Sequence, residues 1–232
     1  MEVTEFNTEK GRYMFQLLDD FTSENHRHPV LEIILAEKGH FSIVNPIARY
    51  DYLKFAIIAP NKPHQLIAAN CPLNMMMVEH HTQFIKNRLS HYKIELINGY
   101  YVQKSPEKSV ELFEEIRQEL SLLNEITDYE DRVRTVIRYI HEHELDYHAM
   151  MNTLQEVVHL SESRLSHLFK EQVGISLKKY LVWCKLRATI KQHLHHKENL
   201  IAALIDSGFY DQPHFSKAFK NMLGIAPSKA YK

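Results

Sequence analysis

The fold class the sequence predicts is α+β in two modules: a small antiparallel β sandwich or barrel with accompanying helices, then an all-α module. Three observations predict it. Short β-rich runs broken by turn residues fill residues 21–77, the apolar period becomes helical from Gln83 onward, and a segment near the C-terminus repeats itself after 50 positions. A chain of 232 residues, 44% hydrophobic and 25% charged, with six Gly and eight Pro, has room for two cores and lacks the composition of disordered or repetitive chains.

The β-rich runs are residues 30–35, 39–44, 52–58 and 75–78, separated by turn segments such as Asn45-Pro46 and Pro60-Asn61-Lys62-Pro63. After Gln83 the pattern changes. Ser105-Pro106-Glu107 reads as a helix start, followed by Val110, Phe113, Ile116, Leu120 and Leu123 at steps of three and four, a narrow stripe that suits a two-helix seam as well as domain packing. Asp128 reads as the cap of a further helix with Val133, Val136, Ile137 and Ile140 on one face. The expected domains are therefore 1–82, a helical connector and dimerisation region at 83–127, and 128–232.

Charge divides the same way. The net charge is −1, but residues 131–232 carry 15 Lys and Arg against 10 Asp and Glu, which makes this part +5 and leaves −6 for the rest. A basic C-terminal module is a candidate phosphate-facing surface. Uninterrupted apolar runs such as Phe55 to Ala59 are far short of the roughly 20 residues that span a bilayer. With no leader-like N-terminus and two cysteines, Cys71 and Cys184, outside any C-x-x-C, a cytoplasmic protein is expected.

The repeat lies within 128–232. Ser161-Glu162-Ser163-Arg164-Leu165-Ser166-His167-Leu168-Phe169-Lys170 with Gly174-Ile175 matches Asp211-Gln212-Pro213-His214-Phe215-Ser216-Lys217-Ala218-Phe219-Lys220 with Gly224-Ile225. Each copy, at about 151–174 and 198–224, follows a short apolar helix and a tight break, the order of a helix-turn-helix. Leu165, Leu168, Phe169 and Val173 share one face of the first copy, and Phe215, Ala218, Phe219 and Met222 one face of the second. The opposite faces present short polar groups early and cations later, as a helix in a major groove needs for base edges and phosphates. The candidate DNA-binding residues are Ser163, Arg164, Ser166, His167, Lys170, Gln212, Pro213, His214, Lys217 and Lys220.

On these residues, together with Leu154, Tyr180, Gly208-Phe209, Pro227 and Tyr231, the segment from about Asp146 to Lys232 resembles the DNA-binding domain of the AraC/XylS family of transcription regulators. The resemblance implies two helix-turn-helix subdomains joined by a linker helix, here about residues 176–194, that set two recognition helices into successive major grooves. The chain departs from the family pattern at Gln155, Leu204 and His159, and in the linker at Thr189, Gln192 and His193.

In the N-terminal module, His26-x-His28-x3-Glu32-x6-Gly39 has the spacing of the first cupin metal motif, and His64 falls where a second-motif His would stand. On a strand, alternate residues share a face, so His26, His28 and Glu32 converge, with His64 from a facing strand. Three imidazoles and a carboxylate suit a divalent transition metal. Regulators of this family with cupin-like sensing domains carry such fragments around metal-free pockets, so the resemblance implies an organic effector pocket at His26, His28, Glu32 and His64, with no metal or other cofactor. The remaining histidine clusters, His80-His81, His141-x-His143 and His193-x-His195-His196, read as solvated helix surface.

A nucleophile elbow, a phosphate loop and H-E-x-x-H are all missing from the chain. The sequence thus predicts a non-enzymatic regulator, activator or repressor. Its expected partners are double-stranded DNA, a small-molecule effector, RNA polymerase in the case of activation, and a second copy of itself. The competing reading is a cupin-type metal-dependent enzyme or small-molecule-binding protein.

Overall fold

Strands begin earlier and end later than the runs above suggest. The computed structural model, which describes residues 2–79, 82–105, 107, 109–122, 129–143, 147–196 and 199–230, contains β1 (Glu2–Asn7), β2 (Arg12–Leu17), β3 (Phe21–Thr22), β4 (Leu31–Leu35), β5 (Phe41–Val44), β6 (Arg49–Leu53), β7 (Phe55–Ile58), β8 (Gln65–Ala68) and β9 (Leu73–Val78). Helix α1 (Thr82–His91), β10 (Tyr100–Gln103) and α2 (Ser109–Leu122) follow. By their contacts, Met1–Asp128 and Lys220–Lys232 form one compact unit and Tyr129–Phe219 the other.

In the first unit the strands make two antiparallel sheets, one in the order β1-β2-β9-β4-β7-β10 and one in the order β3-β8-β5-β6. The apolar run of β4 lies between β9 and β7 and is buried at every position. Its alternation sorts the side chains. Leu31, Ile33 and Leu35 join Phe55, Ile57, Met76 and Val78 in one core cluster, leaving Glu32 on the opposite face. Residues 52–58, expected as one strand, are two strands in different sheets: the chain breaks at Lys54 after Tyr52 adopts φ 61°.

That cluster is completed by Leu89 of α1 and by Leu112, Phe113, Ile116 and Leu120 of α2. The stripe expected as a dimer seam is thus consumed inside the subunit, as the cover of its own sheet, while Val110 is largely exposed and Leu123 lies outside the described residues. A period of three and four identifies a buried face without saying what buries it. Because β10 pairs with β7 and α2 packs on the sheet, residues 83–122 belong to the β module and are no separate connector, and the boundary at 82 moves to about 128. Helix α2 starts at Ser109, after a turn in which Ser105 accepts from the Glu107 N–H, and Pro106 is outside the described residues.

The C-terminal helices are α3 (Asp131–Glu142), α4 (Tyr147–Val158), α5 (Glu162–Val173), α6 (Leu177–His196), α7 (Leu200–Asp206), α8 (Gln212–Leu223) and α9 (Pro227–Ala230). The N-cap of α3 is Glu130, correcting the cap expected at Asp128, which is outside the described residues. Helix α6 is the expected linker helix. Its departures from the family pattern find partners: Thr189 donates to the Lys185 carbonyl at 3.0 Å, and Gln192 accepts from the Ser207 hydroxyl at 3.3 Å. His141 is not the solvated residue expected, because its Nε2 lies 3.0 Å from the Tyr180 hydroxyl. His143 is exposed and stacks on Tyr139, while His80, His81 and the side chains of His195 and His196 are outside what is described.

Candidate functional site

Helices α5 and α8 are built alike. Ser161 caps α5 by accepting from the Arg164 N–H at 3.5 Å, and Asp211 caps α8 by accepting from the His214 N–H at 2.7 Å. Both helices end on a glycine in the left-handed region, Gly174 at φ 82° and Gly224 at φ 71°, where a residue with a Cβ is disfavoured. Leu165, Phe169 and Val173 are buried in the first helix and Phe215, Ala218 and Phe219 in the second, whereas Leu168 and Met222, expected as core, are half-buried.

The opposite faces are accessible. Ser163, Arg164, His167 and Lys170 are exposed with Ser166 half-buried, and Gln212, Pro213, His214, Lys217 and Lys220 are exposed. The His214 ring sits edge-on to Phe209, at 5.2 Å between centroids, so it braces the turn as well as facing outward. Lys185 and Gln155 are two supporting residues the sequence reading missed: the Lys185 ammonium donates to the Gly208 carbonyl at 2.8 Å, and Gln155 accepts from the Glu162 N–H at 2.9 Å.

In the β module, the four residues of the cupin-like fragment meet, though by another route than strand alternation. Only Glu32 stands on a named strand. His26 forms an isolated antiparallel bridge with His64, their backbones exchanging two 2.9 Å hydrogen bonds. Pro29, without an N–H, prevents one strand from running through to Leu35. His26, His28, Glu32 and His64 are 7%, 2%, 1% and 1% exposed.

Each imidazole is fixed by the carbonyl of a residue two positions away. The Nδ1–H groups of His26, His28 and His64 donate to Glu24, Val30 and Lys62 at 2.9, 3.1 and 2.9 Å. A carbonyl only accepts, so each ring carries a proton on Nδ1, and a ring that is neutral offers a bare Nε2. The Glu32 Oε2 lies 3.0 Å from His64 Nε2 and 3.4 Å from His28 Nε2, yet all three buried atoms lack a hydrogen-bond partner. The three histidines offer ligand atoms within 4.8 Å of one another.

Electrostatics agree with this crowding. Burial, then the neighbouring His64 and His28, push the His26 pKa down to about 3, so this ring is neutral at neutral pH. Burial opposes the Glu32 charge, but His64 and His28 outweigh it and hold the carboxyl well below the usual range. Burial also opposes protonation of His64, and the Glu32 charge overcomes it, raising that pKa. Such rings, oriented by second-shell acceptors around one carboxylate, fit a divalent transition ion. Donors that share one such ion at roughly 2.0–2.2 Å stand about 3–4 Å apart; the two Glu32–imidazole distances fall in that range, and the three imidazole donors lie within 4.8 Å of one another.

Comparison with known proteins bears on both regions. A helix-turn-helix domain family matches residues 154–232. The arabinose operon regulatory protein of Salmonella typhimurium is 37% identical over 103 residues, 43% of this chain and 36% of that protein. The Msm operon regulatory protein of Streptococcus mutans is 35% identical over 81 residues, 34% of this chain and 28% of that protein. The match thus spans about a third of these relatives. Among solved structures, ToxT from Vibrio cholerae superposes with a TM-score of 0.61 at 11% identity, over 94% of this chain and 96% of that one. The unsaturated fatty acid bound ToxT gives 0.57 at 12%, over 94% and 93%. At such identity the shared property is the fold: N-terminal antiparallel sheets followed by a helical region.

Proposed function

Residues 154–232 are a helix-turn-helix domain of the AraC/XylS type, and from that premise we propose that the chain is a sequence-specific DNA-binding transcription regulator controlled by a ligand at its N-terminal module. The observation that carries this is the pair of recognition helices with buried apolar faces and exposed polar ones. Ser163, Ser166, His167 and Gln212 read base edges or the adjacent backbone, and Arg164, Lys170, Lys217 and Lys220 hold phosphates. Affinity for duplex DNA measured between about 50 and 200 mM salt tests it. Several phosphate contacts demand a steep negative slope of log K against log salt, and a flat dependence overturns the reading.

The ligand site is His26, His28, Glu32 and His64. An organic effector was expected there, and the fatty acid in one ToxT structure favours that as a second reading. The ion ranks first because four side chains at most 7% exposed leave three polar atoms unpartnered among themselves. When bound, the ion supplies positive charge beside Glu32 and ties the 26–28 segment and His64 to β4. Element analysis of untagged protein checks this: one transition ion per chain, lost in His28→Ala, is the expected result, and no stoichiometric metal restores the organic reading.

The likeness to operon regulators also supports a homodimer, contact with RNA polymerase in an activating role, and a cytoplasmic, non-enzymatic protein. With the α2 stripe spent inside the subunit, a dimer must use another surface, and sedimentation of the full chain at tens of micromolar tests for it. Among the described residues no helix is long and apolar enough to cross a membrane.

A further inference from the structure

The unit formed by Met1–Asp128 and Lys220–Lys232 contains a junction neither site explains. The Glu24 N–H donates to the Gly224 carbonyl at 2.7 Å, and the Glu24 carboxylate meets the Lys220 ammonium at 2.7 Å. The third group of Glu24, its carbonyl, accepts from His26 Nδ1–H at 2.9 Å. The approach is tight: a Cβ on Gly224 would lie 2.5 Å from His26 Nδ1, 2.7 Å from the Ser23 Cβ and 2.9 Å from the Glu24 carbonyl oxygen. One residue therefore grips a ring of the His/Glu cluster with one group and the end of α8 with the other two.

Lys220 is one of the cations assigned above to a DNA phosphate. A carboxylate on its ammonium occupies the place a phosphate oxygen would take. We propose that Glu24 is an autoinhibitory latch through which an ion at His26, His28, Glu32 and His64 lowers affinity for DNA. The proposal rests on both readings given above. The His26 Nδ1–H holds the Glu24 carbonyl, and with it the N–H and side chain that meet Gly224 and Lys220; positive charge held by the His/Glu cluster would strengthen that donor and so tighten the latch. Without that charge the Glu24 peptide would be held less firmly and Lys220 would be freer to meet a phosphate. Linkage makes the effect mutual, so DNA weakens ion binding by the same factor. The pair is exposed, with Lys220 and Glu24 side chains 47% and 65% accessible, so the effect is small, about two- to fivefold in affinity.

The test uses the full untagged chain, a duplex selected from random sequence, Zn²⁺ as the probe and a chelator as its control, with DNA affinity and bound zinc measured on each variant. Wild type is expected to bind DNA two- to fivefold more weakly with zinc than with chelator. Glu24→Gln keeps one zinc per chain but binds DNA more tightly, loses the zinc response and steepens the salt slope by about one phosphate. Lys220→Gln binds DNA more weakly and also loses the response. A zinc response persisting in either variant overturns the latch and leaves the ion reading intact. Wild type that takes up no zinc overturns the ion reading, and with it the control proposed here.

Discussion

In the first helix pair the chain leaves α4 through His159 at φ 52° and reaches the Ser161 cap two residues later; in the second it leaves α7 through Gly208 at φ 81° and passes Phe209 and Tyr210 before the Asp211 cap. The first turn places a Cβ where left-handed backbone disfavours one, and Gln155 braces it from α4 onto the start of α5. The second uses a glycine, one more residue, and the Lys185 ammonium on the Gly208 carbonyl. The 50-residue register survives in the recognition helices and their glycine ends, while the turns diverge. Selection of a turn is local chemistry, so the turns vary where the repeated apolar core and glycine ends do not.

Substitutions can break or sharpen this comparison. The largest effects fall on the shared core: Phe169→Ala and Phe215→Ala should each destabilise by about 3–5 kcal/mol, read by urea denaturation. A difference above about 2 kcal/mol between them would show that the copies are not equivalent in packing. Next come the faces. Gln212→Ala should lose about 1–3 kcal/mol at one base pair in a binding-site selection, and Ser163→Ala should do the same at a different position, while Lys170→Ala weakens all sequences alike.

The caps separate the copies further. Asp211→Ala should cost about 1 kcal/mol of stability, and Ser161→Ala less, because its hydrogen bond is at the long limit of 3.5 Å. The smallest effect has the opposite sign: His159→Gly should raise stability by about 0.5–1 kcal/mol in thermal unfolding, whereas Gly208→Ala should lower it, having both a φ of 81° and the Lys185 chain 3.2 Å from its new Cβ. Equal losses from both would mean the His159 ring makes a contact worth more than the strain.

These outcomes depend on features that were unevenly legible in the sequence. The recognition helices could be read because the copies confirm each other residue by residue. Strand β4 was legible because an apolar run with a single Glu admits few alternatives. Edge strand β1, with Glu2, Thr4 and Glu5, and β10, which follows a helix, gave no comparable signal. The α2 stripe showed its period but not its partner. At the His/Glu cluster the residue types were visible, and the three carbonyls that orient the rings were not, because backbone acceptors leave no trace in side-chain identity. Nothing in the sequence around Glu24 signals its contacts with Gly224 and Lys220.

Those three oriented rings have a consequence for time as well as affinity. Their tautomers and directions are set before any ligand arrives, so capture requires no proton shuffling within the rings and proceeds as fast as the site is reached. Side chains at most 7% exposed are reached only when the surrounding strands part, and escape waits for the same event. For an ion bound as proposed above, entry and exit would then wait on local opening near His26 and His64, and loading would outlast single rounds of DNA binding. A regulator of the proposed kind would thereby keep a slow record of the conditions under which it was filled, where an open site would give a running measurement.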